Sequence, residues 1–313
     1  MKFMKSLNTP VALIAFNRPD FTALVFEEIR KVRPSTLLLV ADGARPNREG
    51  ESEKCAATRK ILESVDWPCN VHRRFLEQNL GCGLGPSRGI SWVFSKVDRA
   101  IILEDDCLPN PTYFHFAGEL LDKYENDSEV MHIAGSSYIP RALCPKSTYY
   151  FSRYAFTWGW ATWARAWSKY DFNLAGIENE MSKLLRPLKL KGIRQKTFYS
   201  SHLTRLRAGA TDFWDIQWGL VCLRNNGLCI TPRNNLISNI GFGFDSTHTG
   251  QSNSTLGNRA THDIEAIVHP QSNTINEKAD IYSMSYLLPP EKKSLRSIAK
   301  GALRRIRNMA YRT

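Results

Sequence analysis

The chain has no CxxC pair, no G-x-G-x-x-G fingerprint and no apolar run near the roughly 20 residues that a bilayer crossing needs. Its seven cysteines, Cys55, Cys69, Cys82, Cys107, Cys144, Cys222 and Cys229, are odd in number and scattered. That argues against a disulfide framework and against a structural zinc site, and a reduced, cytoplasmic setting is the expectation. Gly81, Gly83 and Gly85 do not match the dinucleotide fingerprint. The first apolar run is followed by Asn17-Arg18-Pro19, with no glycine. Met1 to Asn8 carries lysines but no apolar core, so no signal peptide is expected.

Acids are missing from the C-terminal end. Lys292 to Thr313 holds eight basic residues and no acidic one, and without that tail the net charge of +12 falls to +4. The basicity belongs mostly to the tail, and no nucleic acid is expected as a partner. Leu295, Ile298, Ala299, Ala302, Leu303, Ile306, Met309 and Ala310 recur at helical spacing opposite lysines and arginines. A basic amphipathic helix over 291–313 suits an anionic membrane surface; packing on its own domain is the competing use of the same stripe.

What is present is an alternation. Pro10 to Phe16 is a continuous apolar run that reads as a buried parallel strand. Asp20 is placed to cap a helix over Phe21 to Val32. Thr36 to Val40 is a second strand, Glu51 to Val65 a second helix, and Asn70 to Arg74 a third strand. A helix is expected from Pro86 to Ser95, a strand from Ala100 to Leu103, and a helix from Asn110-Pro111 to Tyr124. This pattern predicts an α/β fold with a mostly parallel central sheet and helices on both faces.

In such sheets ligands bind at the carboxyl ends of the strands, and three of those ends are polar: Asn17-Arg18, Asp42-Gly43 and Glu104-Asp105-Asp106. Three adjacent carboxylates repel one another and call for a divalent cation or basic side chains. A nucleoside diphosphate would suit this edge. Asp105 and Asp106 could serve metal and ribose, Asp42 base or ribose, and Arg18 the phosphates.

The second half is less regular. Val130 to Ala134 and Cys229 to Pro232 read as strands. Trp160 to Trp167, with aromatics three and four apart, reads as a helix. Lys183 to Arg207 is basic and helical, interrupted near Pro187 and Gly192, and Gln251 to Glu277 is polar loop. The expected organisation is a catalytic domain over 1–265, with a nucleotide-binding half to about 128 and an acceptor half over 129–265. A linker over 266–290 and the tail over 291–313 follow.

Five stretches, PVALIAFNRP (10–19), LLVADG (38–43), ILEDDCLPNPTYF (102–114), FTWGWATW (156–163) and FWDIQW (213–218), fall in one order. On them the chain resembles the GT-A nucleotide-sugar glycosyltransferases. It is similar in particular to bacterial surface-polysaccharide transferases and to the animal N-acetylglucosaminyltransferase that begins complex N-glycans.

The resemblance implies a metal-dependent, inverting hexosyl- or N-acetylhexosaminyltransferase using Mn²⁺ or Mg²⁺ and a UDP-sugar donor. Arg18 and Asp42 would contact the nucleotide, Asp105 ribose and metal, and Asp106 the metal directly, while Glu104 would orient the donor. Asp215 matches the base that deprotonates the acceptor hydroxyl. The family's Trp-Asp-Asp-Trp is here Trp-Asp-Ile-Gln-Trp, so Asp212 is a rival base.

His248 is a candidate late metal ligand or a structural histidine. Trp158, Trp160, Trp163 and Trp214 are candidate sugar platforms or core residues. Gly159 suits a close backbone approach, and Arg88 either binds the donor or is an exposed helix residue. The acceptor implied is a glycan or lipid-linked glycan of cell-surface polysaccharide synthesis, met at the inner membrane face.

A sugar nucleotidyltransferase is the alternative enzyme, but its Gly-rich Arg-Lys loop after the first strand is not here. A non-catalytic carbohydrate or membrane binder would have no need of Asp215.

Overall fold

Three apolar strands lie side by side at the centre of the computed structural model, which describes residues 7–188, 193–210, 213–242 and 255–288. They are β1 (Val11–Ala15), β2 (Thr36–Ala41) and β4 (Arg99–Glu104). β3 (Asn70–Phe75) borders β2, and all four run parallel. The other half of the same eight-stranded sheet holds β8 (Trp160–Trp163), β6 (Val130–Ala134), β9 (Leu228–Pro232) and β7 (Tyr149–Ser152). The spatial order is β3-β2-β1-β4-β8-β6-β9-β7, with β8 antiparallel to both its neighbours and β7 antiparallel to β9. β5 (Cys107–Pro109) and β10 (Ile237–Asn239) form a separate antiparallel pair.

The strand alternation builds two cores. Val11, Leu13, Leu37, Leu39, Ile101 and Leu103 point to one face, and Ala12, Leu38, Val40, Ala100 and Ile102 to the other. Helices α1 (Pro19–Val32), α2 (Glu51–Leu62) and α3 (Gly81–Val93) link the strands of the first half, and α4 (Pro111–Lys123) leads from it to β6. The second half adds α5 (Ala164–Trp167), α6 (Met181–Leu185), α7 (Ile193–Arg207), α8 (Asp215–Arg224) and α9 (Glu277–Leu287). Among the described residues no helix is long and apolar enough to cross a membrane.

Four local expectations are corrected. Helix α1 starts at Pro19, with Arg18 rather than Asp20 in the capping position. Proline at the first helical position has no N–H to leave unpaired, and Asp20 then lies in the first turn, where its charge suits the helix dipole. Helix α3 begins at Gly81, five residues before Pro86. The carboxylate of Asp42, from a different strand, accepts the N–H groups of Leu80 and Gly81 and lets the helix start there.

Trp160 to Trp163 is strand, not helix, because it inserts between β4 and β6 with Trp160 opposite both Ile102 and Ala134. Its alternation sends Trp160 and Trp163 into different cores. The stretch expected as a linker contains α9, which docks through buried Ala279 and Met284 and through Asp280. The Asp280 carboxylate accepts from Ser152 Oγ at 2.6 Å and the Arg153 N–H at 3.0 Å. Asp212, His248 and the tail over 291–313 lie outside the described residues.

Candidate functional site

A cavity of about 410 Å³ opens at the carboxyl edge of β1, β2 and β4. Parallel pairing puts it there. Ile14 lies opposite Val40 and Glu104, so the residues following each strand emerge at one edge. Arg18, Asp42, Glu104, Asp105 and Asp106 all line it, joined from the second half by Trp158, Phe213, Trp214 and Asp215. Most sequence-predicted site residues within the described part are thus brought together.

The acids face one guanidinium. Arg18 Nη1 donates to Asp106 Oδ2 at 2.8 Å and stands 3.8 Å from Asp105 Oδ1. Asp105 Oδ2 also accepts the Phe16 N–H at 3.0 Å. Burial, then the charge of Asp106, pushes the Asp105 carboxyl up to about 7. Glu104 is held well above the carboxylate range, first by burial and then by the charges of Asp106, Asp105 and Asp215, with Arg18 pulling the other way. For Arg18, burial alone would lower the pKa; Asp105 and Asp106 outweigh it and hold it above its ordinary value.

Asp106 is framed from the second half as well. The Ile240 N–H donates to its carbonyl at 2.8 Å, and Gly241 lies so close that a Cβ there would collide with its carboxylate.

Asp42 lines the cavity, yet much of its carboxylate is taken up by the backbone. It accepts from the N–H groups of Gly43, Leu80 and Gly81 and from Asn79 Nδ2. Beside it lies a network absent from the sequence reading. Arg45 lines the cavity and donates through Nε and Nη2 to Glu51, and its guanidinium lies 5.5 Å from the Phe16 ring centroid. Glu51 also accepts from Asn17 Nδ2 and the Arg45 N–H. The Arg45 hydrogen bonds hold the Glu51 carboxyl down at about 2.

Asp215 is the first residue of α8, where the helix dipole favours a carboxylate. An aromatic nest seats that helix. Trp160 stacks against His132 at 5.1 Å and Trp214 at 5.6 Å, and Trp218 Nε1 donates to His132 Nδ1 at 3.1 Å. His132 Nε2 therefore carries the proton and donates to the Phe156 carbonyl at 3.0 Å.

Four candidates fall elsewhere. Trp163 is buried in the core, where its Nε1 donates to the Leu121 carbonyl at 3.1 Å. Trp160 is fully buried and cannot present a face to a sugar. Gly159 takes a positive φ of 58°, but its close approach is to Ile237 and Leu103 in the core, not to the cavity. Arg88 is exposed on α3, outside the lining.

Among the described residues no three His, Cys, Asp or Glu side chains form a ready-made metal cage. The oxygen donors Asp105 and Asp106 nevertheless fit Mg²⁺ or Mn²⁺. Mg²⁺ characteristically takes one or two carboxylates and completes its shell with phosphate and water, and among the described residues Arg18 is the cation paired with the acids here.

No family model matches the chain, and no curated protein does. Among solved structures it is similar to UDP-glucose pyrophosphorylase complexed with UDP-glucose, over 72% of this chain and 90% of that one, at 10% identity and a TM-score of 0.34. Likeness at that level carries no weight for fold or function.

Proposed function

We propose that the chain is a metal-dependent GT-A glycosyltransferase that moves a sugar, with inversion, from a nucleotide-sugar donor to a hydroxyl of a glycan or glycolipid. The observation that carries this reading is the meeting of two carboxylate sets in one cavity. Glu104, Asp105 and Asp106 come from the end of β4, and Asp215 comes from α8 near enough to raise Glu104. A site that only bound a nucleotide would need the first set alone.

In this reading Asp106 and Asp105 hold Mn²⁺ or Mg²⁺, which offsets the charge of the diphosphate. Asp105 also meets ribose, Arg18 binds the diphosphate, and Trp158, Phe213 and Trp214 wall the sugar side. Asp215 takes the proton from the acceptor hydroxyl as its oxygen attacks the anomeric carbon in line and the nucleoside diphosphate departs. A UDP-sugar is the donor, and the acceptor is a lipid-linked glycan of cell-surface polysaccharide synthesis at an inner membrane face, with the 291–313 tail on the anionic surface.

The test is a panel of nucleotide sugars titrated with Mn²⁺ and again with chelator. Mn²⁺-dependent binding of one donor, and slow release of its nucleoside diphosphate, is expected. A chain that instead released pyrophosphate from a nucleoside triphosphate and a sugar phosphate would be a nucleotidyltransferase. The direct passage from Phe16 through Asn17 and Arg18 into α1 leaves no Gly-rich loop for that reaction.

A further inference from the structure

Arg18 caps helix α1 through its backbone. Its carbonyl accepts the Thr22 N–H at 2.9 Å and the Thr22 hydroxyl at 2.8 Å, and its side chain makes no cap. That side chain, 18% exposed, turns instead onto the acids. The oxygen it holds, Asp106 Oδ2, lies on the side where Gly241 crowds the carboxylate. The other oxygen, Oδ1, faces Asn239 Nδ2 and Cys107 Sγ, each at 3.5 Å. A divalent cation coming to Asp106 therefore meets a positive charge already seated on it. Arg45, the other basic residue lining the cavity among the described residues, is committed to Glu51.

We infer that Arg18 is a built-in counter-ion that competes with the divalent cation for Asp106 and is drawn off by the donor's diphosphate, so that cation and nucleoside diphosphate bind cooperatively. The inference rests on the reading above and adds how the site is loaded. A diphosphate offers the guanidinium anionic oxygens that match its fork. Once Arg18 moves to them, Asp106 Oδ2 is released to the cation. Each ligand then raises the affinity for the other by the same factor. The cation alone binds weakly because it must displace a charge-assisted hydrogen bond and tolerate a neighbouring guanidinium.

This makes a prediction opposite in sign to that for a residue that merely holds Asp106 in place. Removing the Arg18 charge should strengthen binding of the cation alone while weakening binding of the diphosphate. The experiment measures free Mn²⁺ by its EPR signal with wild type, Arg18→Gln, Arg18→Lys and Asp106→Asn. Each is titrated without nucleotide and then with UDP, GDP, ADP or CDP.

Arg18→Gln should bind Mn²⁺ alone about tenfold more tightly, the low end of what a cation within ~4–6 Å does to a carboxylate's proton affinity. Arg18→Lys should lie between, and Asp106→Asn should lose the site. The tightening of Mn²⁺ by the effective nucleoside diphosphate should be smaller in Arg18→Gln than in wild type. Mn²⁺ alone should also raise the unfolding temperature of Arg18→Gln more than that of wild type, which shows that the variant is folded.

If wild type takes up Mn²⁺ with a nucleoside diphosphate but Arg18→Gln gains no affinity for Mn²⁺ alone, the counter-ion role is overturned and the enzyme reading stands. If wild type binds no Mn²⁺ with any of the four, the metal-dependent reading falls and this inference with it.

Discussion

Glu51 stands one layer behind the cavity wall and fixes Arg45, whose guanidinium forms part of that wall. Its carboxyl is held at about 2 against an ordinary 4.5. A depressed carboxyl pKa adds stability that is complete above 4.5 and is lost as pH falls toward 2. Urea unfolding across that window should show a steep acid limb in wild type and a shallower one in Glu51→Gln. The difference should be about 1 kcal/mol, since Arg45 is 42% exposed and its charge is screened. An unchanged limb would mean that the pair forms only weakly.

Gly241→Ala is the sharper residue-scale test. A methyl there collides with the Asp106 carboxylate, so Mn²⁺-dependent nucleotide binding measured by calorimetry should weaken about 10- to 100-fold, as for other displaced ligand supports. Affinity equal to wild type would show that Asp106 is not the metal's carboxylate. At this scale Arg18 and the run from Glu104 to Asp106 were legible because they end apolar strands. Glu51, Asn79 and Gly241 were not, because their partners come from other loops and no local pattern records a long-range contact.

At the scale of elements, the buried strands could be read from their apolar runs, and α4 from Asn110-Pro111, whose Asn110 side chain accepts the Thr112 N–H at 2.9 Å. The failures have one cause, which is tertiary partners overriding local pattern. Aromatics at helical spacing became strand β8 because a slot between β4 and β6 was there to fill. The same fact separates two roles for Trp160. As a fully buried core residue, Trp160→Ala should lower stability by about 3–5 kcal/mol in denaturant unfolding. As a sugar platform it would instead have changed acceptor KM with little loss of stability. The milder Trp218→Phe leaves His132 Nδ1 without its donor and should lower stability by about 1–3 kcal/mol.

Over the whole molecule, the site exists because two unlike halves close on one edge of one sheet. The regular half supplies the acids and Arg18; the irregular half supplies Asp215 through α8, and β10 and Gly241 against Asp106. Helix α9 fastens the end of the described chain back onto β7. Asp280→Ala should therefore speed proteolytic cutting within 277–288 while leaving nucleotide affinity nearly unchanged, and equal cutting rates would show that the helix is held by its apolar residues alone.

The division of labour between the halves is tested most directly by donor affinity and transfer rate measured side by side in Asp106→Ala and Asp215→Ala. Asp106→Ala is expected to abolish Mn²⁺-dependent binding of the nucleotide sugar. Asp215→Ala is expected to bind it as wild type does and to lose transfer. Equal loss of donor binding in both, or wild-type transfer by Asp215→Ala, would contradict a site in which one set of carboxylates holds the donor and a separate one takes the proton.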